Sequence, residues 1–274
     1  MKNSKRLMAA LLAVSVLAAC GQKEEKTVEQ PEQQQEVEVV VAKEADEFKT
    51  FVTFRMEDFV EDTALLASLV KEGKLEEAQK LYPLVTMYYE RMQPIVSNFP
   101  DLDQALNSAL VEGKENEATG FQQLAYGLFI EKKTAGYEDS AEKLASDVKA
   151  LQKEVTTADL SKNNVLVSAI SMFNMMVKER LSTSSIANNE VYVVKAQTEA
   201  AQEIVKIFMP RVDASSAANV TEALANLDEV IAYYEVGKED YVNYSFFTSK
   251  QKEELITAIK DAQKALEKMN ESMK

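Results

Sequence analysis

Residues 46–73 read DEFKTFVTFRMEDFVEDTALLASLVKEG. Phe48, Val52, Met56, Phe59, Thr63, Leu66 and Val70 recur there at spacings of three and four. Such spacing lays one apolar stripe along one helix face, and that stripe needs a partner face to cover it. Four more stripes follow: Ala141, Leu144, Val148, Leu151 and Val155; Leu166, Ile170, Phe173, Val177 and Leu181; Val220, Leu224, Leu227, Ile231 and Tyr234; and Leu255, Ile259, Ala262, Leu266, Met269 and Met273. No comparable segment alternates with period two, so the chain is predicted to be all-α, without a sheet.

Punctuation supports the helices. Gly73, Gly113, Gly136 and Gly237 each follow a periodic run, where a left-handed helix cap is needed. Thr248 with Gln251 fits a capping box, and Asp139 with Glu142 is a similar start signal. Pro83 and Pro94 fall inside the second apolar run, where each should bend or restart the helix. Residues 46–274 suffice for one large bundle or two smaller ones in tandem. The polar stretch Thr156–Asn164 marks the boundary, giving helical units at 46–158 and 159–274.

The start of the chain is an address. Lys2, Lys5 and Arg6 precede an apolar run from Leu7 to Ala19, which ends in Leu17-Ala18-Ala19-Cys20. That run is too short for a spanning helix, which needs ~20 apolar residues. It reads as a secretory signal, residues 1–19, ending in a lipobox whose Cys20 takes the lipid and becomes the first residue of the mature chain. The protein is thereby expected to be extracytoplasmic and lipid-anchored to the cell membrane, at the cell surface or in the periplasm. Residues 20–45 are rich in Glu, Gln, Lys and Val, lack aromatic residues, and read as a disordered tether. Val37, Val39, Val40 and Val41 have strand propensity, but nothing nearby would pair with them.

Composition removes whole classes of chemistry. Loss of Lys2, Lys5 and Arg6 with the signal takes the net charge from -14 to -17. So acidic a chain does not suit nucleic acid, whose phosphates call for clustered Lys and Arg. The single cysteine is committed to lipid and the chain has no histidine. Cysteine nucleophiles, disulfides, Ser-His-Asp triads and HExxH zinc sites are therefore excluded, and the chain is expected not to be an enzyme.

Two stretches carry a family resemblance. Residues 81–103 read LYPLVTMYYERMQPIVSNFPDLD, and residues 119–129 read TGFQQLAYGLF. They resemble the hallmark runs of the imelysin-like proteins of the EfeO/EfeM iron-uptake type. The first is similar to the family's Tyr/His-Tyr-Glu-Arg-Ile-Glu-Pro run followed by Asp-Leu-Asp, the second to its Gly-Phe-His-x-x-Glu-Tyr-x-Leu-Phe. Residues 196–212 and 241–255 are similar more loosely. The resemblance implies two tandem four-helix bundles and a role in ferrous or ferric iron uptake beside a permease and a peroxidase-like partner. Iron is the one cofactor or cargo it suggests.

The family's ligand positions are changed here. Gln122 stands where the family has histidine, and Ala125 where it has glutamate. Gln93 replaces the glutamate beside Pro94, and Asn188 replaces a histidine near residues 187–195. The motif supplies no metal site. Oxygen ligands remain at Glu90, Asp101 and Asp103, with Tyr88 beside them.

Each of these residues has a plainer reading. Glu90 and Arg91 form either an exposed pair on a helix or part of a cleft lining. Tyr88, Tyr89 and Tyr126 read as core or rim aromatics, and Gln122 and Gln123 as helix surface or as partners of a sugar or peptide. Asp101 and Asp103 read as caps of the helix after Pro100. Met172, Met175 and Met176 read as core rather than as a soft-metal cluster. The candidate cleft residues are Tyr88, Glu90, Gln93, Gln122 and Asn188. The expected function is a lipid-anchored binding protein of the iron-uptake type with an altered metal site. The alternative is a non-catalytic surface scaffold without a small ligand.

Overall fold

The computed structural model describes residues 32–181 and 185–273. Cys20 and the signal segment lie outside these residues. Eleven α-helices account for most of the described chain: α1 (Glu32–Phe54), α2 (Met56–Lys71), α3 (Leu75–Arg91), α4 (Gln93–Val96), α5 (Pro100–Asn107), α6 (Gly120–Ala125), α7 (Glu138–Thr157), α8 (Val165–Met175), α9 (Glu190–Phe208), α10 (Ala214–Ala232) and α11 (Ser249–Ser272). The predicted stripes are the buried faces. Phe48, Phe59, Leu66, Val148, Leu151, Phe173, Leu227, Ile259 and Leu266 are fully covered.

Helices α8, α9, α10 and α11 pack on one another as one four-helix group. In the other half α2 packs on α3 and α7, and α5 and α6 pack on α7. The seam between the halves is closed by α3 against α9, with α1 also on α9, and the buried apolar residues form one connected cluster. The loop between α7 and α8 falls in the predicted polar stretch. Asn164 caps α8 by accepting from the Val167 amide.

Several local expectations need correction. α1 begins at Glu32, so helix replaces tether over 32–45 and includes the valines read as a strand. The stripe continues backwards through Ala45, and Glu44 is buried with it. Asp139 lies in the first turn of α7 rather than at its cap, and neither Asp101 nor Asp103 caps α5. Gly237 does not end a helix; it lies in β1 (Glu235–Gly237), which pairs antiparallel with β2 (Asp240–Tyr241). Such a hairpin is too short to carry a period-two signal. The capping box forms as expected: Thr248 Oγ1 accepts from the Gln251 amide and Gln251 Oε1 accepts from the Thr248 amide.

The two prolines act differently. Pro94 starts the one-turn helix α4 directly after α3 ends at Arg91. Pro83 sits inside α3 without interrupting it. Both α6 and α8 run on into π-helical turns, Tyr126–Glu131 and Met176–Arg180. In the second, the Leu181 amide donates to the Met176 carbonyl at 3.0 Å, five residues back. The wider turn shifts side-chain direction at the end of α8, and π-turns of this kind concentrate at functional sites.

Candidate functional site

A cleft of about 460 Å³ opens where the two hallmark stretches meet the start of α9. Tyr82, Thr86, Tyr89 and Glu90 come from α3, Phe121 and Gln122 from α6, Met176, Glu179 and Arg180 from the second π-turn, and Asn189, Glu190 and Val193 from α9. A more open groove of about 850 Å³ runs between α10 and α11. Its polar lining residues, among them Glu222, Lys250, Glu254 and Lys264, are exposed, and none of the buried polar side chains lines it.

The wall formed by α5 and α6 is fixed by close backbone approach. Gly120 has φ +61°, and a Cβ there would lie 2.0 Å from the Leu106 carbonyl oxygen. The Thr119 amide donates to Ser108 Oγ at 2.6 Å, and Gln122 Nε2 donates to Asn107 Oδ1 at 2.9 Å. Tyr82 donates its hydroxyl to the Phe121 carbonyl at 3.0 Å, tying α3 to α6.

A polar ladder crosses the seam between α3 and α9. Asn189 Nδ2 donates to Thr86 Oγ1 at 3.0 Å. Gln197 Nε2 donates to one Glu90 oxygen at 2.7 Å, and Arg180 pairs with the other. Glu90 is 3% exposed, so both carboxylate oxygens are satisfied inside the protein. Such pairing stabilises the ionised form of a buried carboxylate, which otherwise tends to take up a proton. Arg91 is also buried, and it bonds Glu199 at 2.6 Å rather than its neighbour Glu90. Lys195 extends this network to Asp228 at 2.7 Å, joining α3, α9 and α10. The reading of Glu90 and Arg91 as an exposed pair is therefore overturned.

Glu190 differs from Glu90. It is 2% exposed, and one oxygen accepts from the Ser185 amide while the other, Oε2, has no partner. Burial pushes its carboxyl above the usual range, opposed by the Ser185 bonds and by the charge of Lys252. Gln197 Oε1 is likewise buried without a partner. Residues 190 and 197 lie seven apart, on one face of α9.

Of the candidate cleft residues, the structure brings together Glu90 and Gln122. Tyr88 lies outside, stacked on Phe59 and donating to Asp62 at 2.9 Å. Gln93 is half-buried beside Tyr89 and does not line the cleft. Asn188 adopts φ +50° and offers its carbonyl to the Tyr244 amide; its neighbour Asn189 takes the cleft position. Asp101 is exposed, and Asp103 accepts from the Tyr89 hydroxyl. Ala125 is packed in the core. Met172 and Met176 are buried but Met175 is 53% exposed, so no methionine cluster forms.

Sequence reasoning missed Arg180, Asn189, Glu190 and Gln197. Glu190 and Gln197 carried a signal, as polar residues seven apart in the largely apolar run EVYVVKAQTEAA, residues 190–201; Arg180 carried none, because a π-turn decides its direction. Among the described residues, no three Asp, Glu, His or Cys side chains gather to hold a metal ion.

An imelysin family model (Peptidase_M75) matches residues 45–273. An Efem/EfeO family lipoprotein of Staphylococcus haemolyticus is 26% identical over 287 residues, covering 97% of this chain and 98% of its own. The iron uptake system component EfeM of Pseudomonas syringae pv. syringae is 28% identical, covering 72% of this chain and 73% of its own. Among solved structures, an imelysin-like protein from Psychrobacter arcticum superposes with TM-score 0.58 at 13% identity, over 84% of this chain and 96% of that one. That likeness concerns the fold.

Proposed function

The chain belongs to the imelysin family, and from that premise we propose that it is a lipid-anchored, extracytoplasmic binding protein of the EfeO/EfeM iron-uptake type whose cleft has exchanged metal ligands for an internal ion pair. The names of its relatives support the iron-uptake setting and the lipoprotein anchor. Cys20 is the attachment point, and a permease and a peroxidase-like protein are the partners in that setting. Binding rather than peptidase activity fits a chain without histidine whose single cysteine carries the lipid.

The observation that carries the altered site is the state of Glu90. Arg180 and Gln197 each bond one of its two oxygens, so its charge is already balanced and held inside the protein. Gln122 supplies a neutral amide already bonded to Asn107, and Ala125 supplies only a methyl group in the core. This donor set does not fit an iron ion, which favours anionic oxygen and imidazole nitrogen. Calorimetric titration of the purified full chain with ferric citrate tests the reading. No saturable uptake is expected. Tight uptake that disappears on Glu90→Ala would show that Glu90 still ligates iron.

A further inference from the structure

Among the described residues, Glu190 is the one carboxylate lining the cleft that is buried with an oxygen left without a partner. Among the described residues no lysine or arginine forms an ion pair with it; Lys252 lies over the Tyr244 ring, 4.4 Å from its centroid. Leaving a buried polar atom without a partner is unfavourable, and a bound donor would remove that cost.

The surrounding chemistry narrows the donor. Glu90, Glu179, Glu190 and Arg180 are the charged residues on the cleft wall, so its balance is acidic, and Arg180 is committed to Glu90. Tyr82 and Tyr89 direct their hydroxyls to the Phe121 carbonyl and to Asp103. Together with Phe121, on which both rings pack, they back the cleft with buried aromatic side chains. A metal ion needs four or more ligating atoms, and among the described residues Glu190 Oε2 is the one buried carboxylate oxygen of the cleft wall without a partner. A protonated amine needs two or three acceptors and tolerates apolar walls. The volume, about 460 Å³, lies in the range of small-molecule sites.

We propose that the cleft binds a small organic cation, a protonated amine or guanidinium on an aliphatic or aromatic body, with its charge on Glu190 Oε2. The proposal rests on the reading of the chain as a binding protein and names the class of ligand its cleft takes.

Isothermal titration of the purified full chain with phenethylamine and agmatine tests it, with 2-phenylethanol as the neutral counterpart and Glu190→Gln as the variant. Saturable binding of at least one amine is expected. The alcohol, and either amine on Glu190→Gln, should bind at least about tenfold more weakly. Failure of both amines to bind the unsubstituted chain would overturn the proposal, as would equal binding of the alcohol or undiminished binding by Glu190→Gln. The comparison of amine with alcohol uses the unsubstituted chain, so it stands whether or not the variant folds. Ferric citrate uptake that is lost on Glu190→Gln and blocks the amines would also overturn it, while leaving an iron-uptake role in place. Amine binding without iron uptake would support it.

Discussion

Replacing Arg180 by methionine removes the cation that satisfies Glu90 while keeping much of the side-chain bulk. Gln197 would still donate one bond, but the other Glu90 oxygen would be left buried without a partner. Removing one member of a buried pair costs about 3–5 kcal/mol. Arg180 is 35% exposed along its side chain, so solvent screens its half, and the lower end, about 3 kcal/mol, is the expected loss. With a urea slope near the top of the usual range, about 3 kcal/mol per molar, the unfolding midpoint should fall by roughly 1 M. The decisive comparison is the double variant Arg180→Met/Glu90→Gln. Glutamine is close to isosteric and uncharged, so the double variant should recover at least half of the loss. A double variant as unstable as the sum of the single losses would refute the reasoning, because the two residues would then act independently.

Three further outcomes follow from the geometry. Gly120→Ala forces a Cβ into the Leu106 carbonyl at a positive φ; it should cost about 2–4 kcal/mol, measured by urea unfolding, and should weaken any ligand held by the α5–α6 wall. Thr248→Ala removes the α11 capping box and should cost about 1 kcal/mol, or about 2–4 °C in melting temperature by calorimetry. Glu190 has a folded-state carboxyl raised by burial, so its contribution to stability is fully present below the unfolded-state value and is lost as pH rises through the folded one. Glu190→Gln should therefore be more stable than the unsubstituted chain by about 1 kcal/mol at pH 8 and equal to it at pH 4, measured by unfolding at both.

The helices were legible because apolar spacing is a local, repeated signal. The Phe48–Val70 stripe is buried across α1 and α2, and the Leu255–Met269 stripe along α11. The start of α1 was not legible, because Glu- and Gln-rich sequence before residue 46 suits solvent as well as it suits a helix. The cleft was half legible. Its walls come from the two hallmark stretches, so Glu90 and Gln122 were found. Which way a residue points is a tertiary matter. Asn189 rather than Asn188 faces the cleft because Asn188 turns through a left-handed conformation, and Arg180 reaches Glu90 because α8 widens into a π-turn. Spacing counted along an ideal helix predicts neither.

Arg180 and Gln197, rather than a metal, satisfy Glu90. A metal inventory by mass spectrometry, on full chain purified from its native membrane without chelators, tests it most directly. Iron far below one atom per chain is expected. Iron near stoichiometry, retained through purification and lost on Glu90→Ala, would contradict it.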